Sequence, residues 1–204
     1  MKYRILSLAL LSAASLVLVG CAAQPQNIDL QNDQGHAVMG LDYRDFNNAA
    51  NQLVQSLLAS GALKKDGGGR YVMTTAKIVN DTMQRIDTDQ LMAKIEEGMM
   101  NSGQVVMTSA IGGKGATDKM VYQVRELRDN DEFKQNTIAK KGQLIAPELS
   151  ISGKIIQRDI RYERSKTQVE YYFQLRVTHM TNGLRVWQKE TIIGKRGSRR
   201  SVSW

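Results

Sequence analysis

Few side chains in this sequence stand where they could do chemistry, and the foremost is its one cysteine, Cys21, directly after Leu18, Val19 and Gly20. A thiol is the only side chain there that can form a thioether, and the small residues before it admit a peptidase cut between Gly20 and Cys21. The two histidines, His36 and His179, are too few and too far apart for a metal cluster or a triad. His179 sits beside a turn, where a solvated or hydrogen-bonded imidazole is expected. Gly112-Gly113-Lys114-Gly115-Ala116-Thr117 has the outline of a phosphate cradle. A phosphate loop needs Ser or Thr directly after its lysine, and Gly115 stands there, so the run reads as a strand-to-helix turn. The carboxylates Glu96 and Glu97 read as a solvated helix face. With no nucleophile beside a base, the residues predict no catalytic group, no metal and no cofactor.

Two stretches carry the chemistry of binding. Arg161, Tyr162, Arg164, Lys166, Tyr171 and Tyr172 mix cations with amphipathic rings, as protein interfaces do. Alternation sends half of a strand's side chains inward, so the candidate partner-binding patch is Arg161, Tyr162, Arg164, Lys166 and Tyr172. The run from Lys195 to Trp204 is basic and ends in tryptophan. It reads as a disordered tail or as a contact for anionic headgroups or cell-wall polymer.

Lys2 and Arg4 open the chain, and Ile5 to Val19 is apolar apart from three serines. As a helix that apolar run spans roughly 23 Å, short of the ~30 Å hydrocarbon core, so a secretory signal over 1–20 fits better than a membrane span. Leu18 to Cys21 resembles the lipobox of bacterial lipoproteins; the alternatives are a free buried thiol and an ordinary cleavage site near a cysteine. Two or three acyl chains on Cys21 would hold the chain on a membrane, at ~0.8 kcal/mol per buried methylene. Ala22 stands where an aspartate would resemble an inner-membrane retention signal, so outer-membrane attachment facing the periplasm is expected. The formal charge is +8, and loss of Lys2 and Arg4 leaves +6. Such a surplus fits an acidic partner or surface, or plain solubility. Export takes nucleic acid off that list.

Residues 21–40, rich in amides and without periodicity, read as a flexible tether. The domain expected over 41–194 opens with Asp42 as the cap of a helix carrying Phe46, Ala50, Leu53, Val54, Leu57 and Leu58, stopped by Gly61. An alternating strand follows from Tyr71 to Val79, with Tyr71, Met73 and Thr75 sharing a face. Asp87 or Thr88 starts a second helix with Leu91, Met92, Ile95 and Met99 inward, ending at Asn101-Ser102-Gly103. A short strand over Gln104 to Ser109 leads to a third helix, capped by Thr117 and carrying Met120, Val121, Val124 and Leu127. A further helical piece is expected over Asp131 to Lys141, with Phe133 and Ile138 as its apolar contacts. From Leu144 the pattern is strand: Leu149, Ile151, Gly153 and Ile155 alternate, as do Val169 to Val177. Thr181-Asn182-Gly183 turns the chain, and Leu184 to Ile193 returns with Leu184 and Val186 inward. The expectation is an α/β fold: a mixed sheet of about four to five strands, flanked by about four helices and ending in a β-meander.

Three segments together resemble the lipoprotein activators of penicillin-binding proteins, the LpoB family, whose domain is similar to the N-terminal part of TolB. They are Asp42-Tyr43-Arg44-Asp45-Phe46-Asn47, the strand Leu149 to Ile155 with Ser152-Gly153, and the hairpin Leu175 to Thr178, Thr181-Asn182-Gly183 and Val186-Trp187. The resemblance spans roughly Leu41 to Gly194. It implies an outer-membrane lipoprotein without catalysis of its own that binds and activates a bifunctional class A penicillin-binding protein, a peptidoglycan synthase. It designates no docking residue. One departure stands out: the enteric tether is long and proline-rich, whereas this one has about twenty residues and reaches at most ~70 Å extended and ~25 Å as a coil. The alternative expectation is a structural or assembly lipoprotein of an envelope machine, flagellar or secretory.

Overall fold

The structure, a computed structural model, describes residues 29, 30, 37–113, 116–161 and 163–201. The chain divides into two units, 1–34 and 35–204, and every helix and strand described lies in the second. Gly20, Cys21, His36, Lys114, Gly115, Tyr162 and Val202 to Trp204 lie outside the described residues.

Helix α1, Tyr43–Ala59, begins where Asp42 accepts from the backbone N–H groups of Arg44 and Asp45 while Asp45 accepts in return from the Asp42 N–H. This reciprocal cap satisfies donors that a helix start otherwise leaves open. Ala49, Ala50, Leu53, Val54 and Leu57 recur at helical spacing and are buried. Gly61, at φ +76°, stops the helix. Helix α2, Thr88–Asn101, is capped by Asp87 and buries Leu91, Met92, Ile95 and Met99. The two helices pack closely at Gly98, where a Cβ would stand 3.1 Å from the nearest methyl of Val54.

Strands β1 (Tyr71–Asp81), β2 (Val105–Met107), β3 (Leu149–Arg161), β4 (Lys166–His179) and β5 (Arg185–Ser198) form one mixed sheet in the order β2-β1-β3-β4-β5. β1 runs parallel to both β2 and β3, and β3, β4 and β5 form the expected antiparallel meander. β1 has one residue more than β3 between the pairs Thr75–Ile151 and Ile78–Gly153. That bulge inverts the alternation, so Met73, Thr75 and Ile78 are all buried. α1 and α2 cover the face bearing Ile151, Ile155, Tyr171, Phe173 and Val177, with Phe46 edge-on to Phe173 at 6.0 Å.

Several expectations are corrected. Asp131 to Lys141 holds a single 3₁₀ turn, Gln135–Thr137, leaving three α-helices among the described residues where about four were expected. In that segment Ile138 is buried and Phe133 exposed. Helix α3, Met120–Glu126, buries nothing. Two turns are too short to lay a stripe on the core, and its cap position is Lys119, preceded by Asp118, which accepts from the Met120 N–H, while the Thr117 hydroxyl turns back to Gly112 O. In β5 the inward phase is Trp187, Thr191 and Ile193, while Leu184 and Val186 are exposed. A register shift between Val177 and Thr178 sets that phase. Glu96, expected in solvent, is half-buried and accepts from the Thr75 hydroxyl at 2.7 Å.

The domain also reaches past both expected limits. β5 continues to Ser198, so the first four residues of the basic run are strand. Lys195 lies on the helix-covered face with 9% of its side chain exposed, paired with Asp45 and Asp42 and donating to Gly40 O at 2.6 Å. At the other end Met39 is buried, its carbonyl accepting from the Tyr171 hydroxyl at 3.0 Å. Burial pushes the Tyr171 phenol up to about 12, so it remains a donor at any physiological pH.

Candidate docking surface

Because both long helices pack on one face, the other face of the sheet is covered only in part. At β1 the loop after β2 crosses it, where Ile111 O accepts from the buried Thr74 hydroxyl. Over β3, β4 and β5 the outward residues are half-buried or exposed.

The register places Ile156 opposite Tyr172 and Tyr172 opposite Ile192, a row of three side chains across three strands. Ile192 is 55% exposed, so this apolar centre meets solvent. Arg158, opposite Glu170, lies over the Tyr172 ring at 5.7 Å. The Tyr172 hydroxyl donates to Glu170 Oε2 at 2.5 Å, and Gln168 Nε2 donates to Glu170 Oε1 at 2.7 Å. Those two bonds, the Tyr172 one foremost, hold the Glu170 carboxyl below the usual carboxylate range. Arg196 closes the row by donating through Nη2 to Gln168 Oε1 at 2.7 Å. The resulting surface has aromatic and aliphatic residues at its centre, guanidinium groups on two sides and one carboxylate already engaged. An acidic protein surface with an apolar protrusion would match it, since interface cores favour aromatics and arginine.

The residues expected to form one patch are not together. Arg161 shares its phase with Ile155 and projects on the helix-side face of the ribbon, whereas Lys166 and Tyr172 share the open face. Lys166 pairs with Glu163 at 3.0 Å at the hairpin tip, where Arg164 is exposed. Tyr172 lies six residues along β4 from Lys166, about 20 Å away. The cations the structure sets nearest Tyr172 are Arg158, over its ring, and Arg196, joined through Gln168. Once the β3–β4 register is known every even-numbered position of β3, Arg158 included, shares the Tyr172 face, and Arg196 joins it only through the β4–β5 register.

The remaining chemistry is structural. His179 Nδ1 is buried without a hydrogen-bond partner among the described residues, and its ring stands edge-on to Tyr71 at 6.2 Å. Lys65 Nζ donates to both oxygens of Glu148, at 2.7 and 2.8 Å, and Glu148 also accepts from the Val72 N–H. Gly113 packs on the β1 bulge, donating to Thr75 O at 2.6 Å, which suits a strand-to-helix turn. A groove of about 450 Å³ lies between α1 and α2, bounded by Tyr43, Phe46, Ala93 and Lys94. Among the described residues no cluster of His, Cys, Asp and Glu could hold a metal ion.

Residues 45–193 match the family model described as peptidoglycan-synthase activator LpoB. Among solved structures the chain is similar to the LpoB C-terminal domain from Salmonella enterica, at 12% identity and TM-score 0.42, covering 73% of this chain and 98% of that one. It is similar to the Escherichia coli LpoB C-terminal domain at 12% identity and TM-score 0.42, covering 74% and 99%. The lipoprotein GNA1162 from Neisseria meningitidis matches at 8% identity and TM-score 0.38, covering 65% and 87%. No curated protein matches the sequence.

Proposed function

This chain belongs to the peptidoglycan-synthase activator LpoB family, and from that premise we propose that it is an outer-membrane lipoprotein that docks on a class A penicillin-binding protein through the open face of β3, β4 and β5. Cys21 carries the acyl chains after cleavage behind Gly20, and the basic residues that follow β5 add contact with anionic headgroups or wall polymer. The domain works by binding, with no catalysis of its own. Docking raises synthase activity only if the active conformation of the synthase binds this face more tightly than the idle one, because a partner shifts an equilibrium solely by its differential affinity. The single observation that carries the reading is the solvent-facing row Ile156–Tyr172–Ile192 flanked by Arg158 and Arg196.

The test is the rate of glycan polymerisation by a purified class A synthase with and without the full chain. Tyr172→Ala and Arg158→Glu should each lower the stimulation at fixed concentration by roughly tenfold or more, as loss of an interface anchor does, while leaving the melting temperature within a few degrees. Full stimulation by both variants would move the docking face elsewhere, and no stimulation by the unaltered chain would overturn the activator reading itself.

A further inference from the structure

Towards the opposite end of the same sheet face, where β5 begins, lies a recess of about 180 Å³ bounded by Gly153, Lys154, Gln174, Arg176, Arg185 and Gln188, with Leu175 completing its wall. Three cations line it and no carboxylate does. Lys154 stands opposite Gln174 and Arg176 opposite both Ser152 and Gln188, so Lys154 and Arg176 are diagonal neighbours on adjacent strands. Diagonal neighbours on adjacent strands stand roughly 7–8 Å apart, so both cations are within reach of one small anion between them.

The polar groups are already aimed. Arg176 donates through Nε to Ser152 Oγ at 3.1 Å, which fixes its stem and leaves both terminal nitrogens without a partner among the described residues. Arg185 Nη1 donates to Gln188 Oε1 at 2.6 Å, which turns the Gln188 amide so that its NH₂ is free to donate. Lys154 is held at 2.6 Å by Asp81 on its far side. Gln174 donates through Nε2 to Glu190 at 2.7 Å, leaving Oε1 as the one side-chain amide oxygen of the recess not already accepting among the described residues. Side chains tied at their stems with free donors at their ends lose little freedom on binding, which favours a small anion.

We infer that this recess binds the free carboxylate of a short peptide, its two oxygens taken by the Arg176 and Arg185 guanidinium groups and its neighbouring amide N–H donating to Gln174 Oε1. Guanidinium forks match the planar carboxylate in pairs. That amide oxygen distinguishes the ligand from a phosphate group, which has no N–H beside its oxygens to satisfy Gln174. The same chemistry is presented by the stem peptides of the cell wall and by the C-terminus of a protein. This site is separate from the synthase-docking row and does not rest on it.

The test is a titration of the isotope-labelled full chain followed by amide chemical shifts. Acetyl-Ala-Ala with a free C-terminus should shift Gly153, Arg176 and Gln188 saturably, and its C-terminal carboxamide should not. Arg176→Gln with Arg185→Gln should weaken the binding at least tenfold, and Arg176→Lys, which keeps the charge without the fork, should weaken it by less. The wall tripeptide alanyl-γ-glutamyl-diaminopimelate distinguishes the source: tighter binding than the dipeptide assigns the site to the wall, and weaker or equal binding to a protein terminus. Equal shifts from acid and carboxamide, saturation by inorganic phosphate below the concentration the dipeptide requires, or unchanged affinity in a double variant that melts with the unaltered chain would each overturn the inference. None of these readouts involves synthase stimulation, so this inference and the activator reading stand or fall separately.

Discussion

Lys195 looks like one of many surface cations in the sequence, yet its ammonium is nearly enclosed between Asp42, Asp45 and Gly40 O. Burial alone would raise the Asp42 carboxyl; the Arg44 and Asp45 hydrogen bonds and the charges of Lys195 and Arg44 outweigh it and hold it below its ordinary value. Removing the ammonium leaves two part-buried carboxylates facing each other. Lys195→Met is therefore expected to lower stability by about 2 kcal/mol in a urea titration, while Lys189→Met on the same strand changes it by less than about 0.5 kcal/mol. Glu148 gives a prediction about pH. Its hydrogen bond from Lys65, followed by that from the Val72 N–H, holds its carboxyl below the ordinary 4.5. A depressed carboxyl contributes stability that is fully present above the unfolded-state value and is lost as pH falls through the folded one. Glu148→Gln should accordingly melt lower than the unaltered chain at pH 7, and the gap should close on acidification below about pH 4. A gap that did not narrow at all as the pH fell below the unfolded-state value would point to lost packing and away from the charge. Of the residues expected to form the patch, Tyr172 was legible because its phase opposes that of the apolar Tyr171 and Phe173. Arg158 and Arg196 were not, because their proximity to Tyr172 depends on cross-strand register.

At the scale of elements, local signals worked where the element is closed by its own neighbours. Asp42, Gly61, Asp87 and Gly103 delimit α1 and α2 as their types imply, and Gly183, at φ +72°, turns β4 into β5. They failed where a distant strand sets the phase. The β1 bulge puts Thr75 and Ile78 on one face, and the shift at the β4–β5 turn puts Trp187 inward where Val186 was expected. Gly153 tests how tightly β3 and β4 are joined. A Cβ there would stand 2.6 Å from Leu175 Cδ2 and 2.7 Å from Gln174 O, a backbone atom that cannot step aside. Gly153→Ala is expected to cost about 2 kcal/mol, read as a lower melting temperature, whereas Gly194→Ala, which meets nothing within 4 Å, should leave it unchanged or raise it slightly.

On the scale of the whole molecule, the two long helices lie on one side of the sheet, and the strands that close the meander keep an open side that carries both the proposed docking row and the basic recess. The proposed docking would need a rigid surface of this kind more than a cleft. The proposed anchor, Cys21, lies outside the described residues. Cys21→Ser is expected to leave the melting temperature unchanged and to move the protein from the membrane pellet to the soluble fraction; a variant that still sedimented with outer membranes would refute lipid attachment. The sequence by itself determined the two long helices and their caps, the closing meander, the family and the candidate anchor, because each rests on short-range spacing or on a motif read in one line. Only the tertiary structure decided that the basic run is strand as far as Ser198, that Lys195 is a buried clamp, and that Arg158, Tyr172 and Arg196 share a surface. Those facts follow from strand register and from bulges that invert a period of two, and both are settled by contacts between residues far apart in the chain.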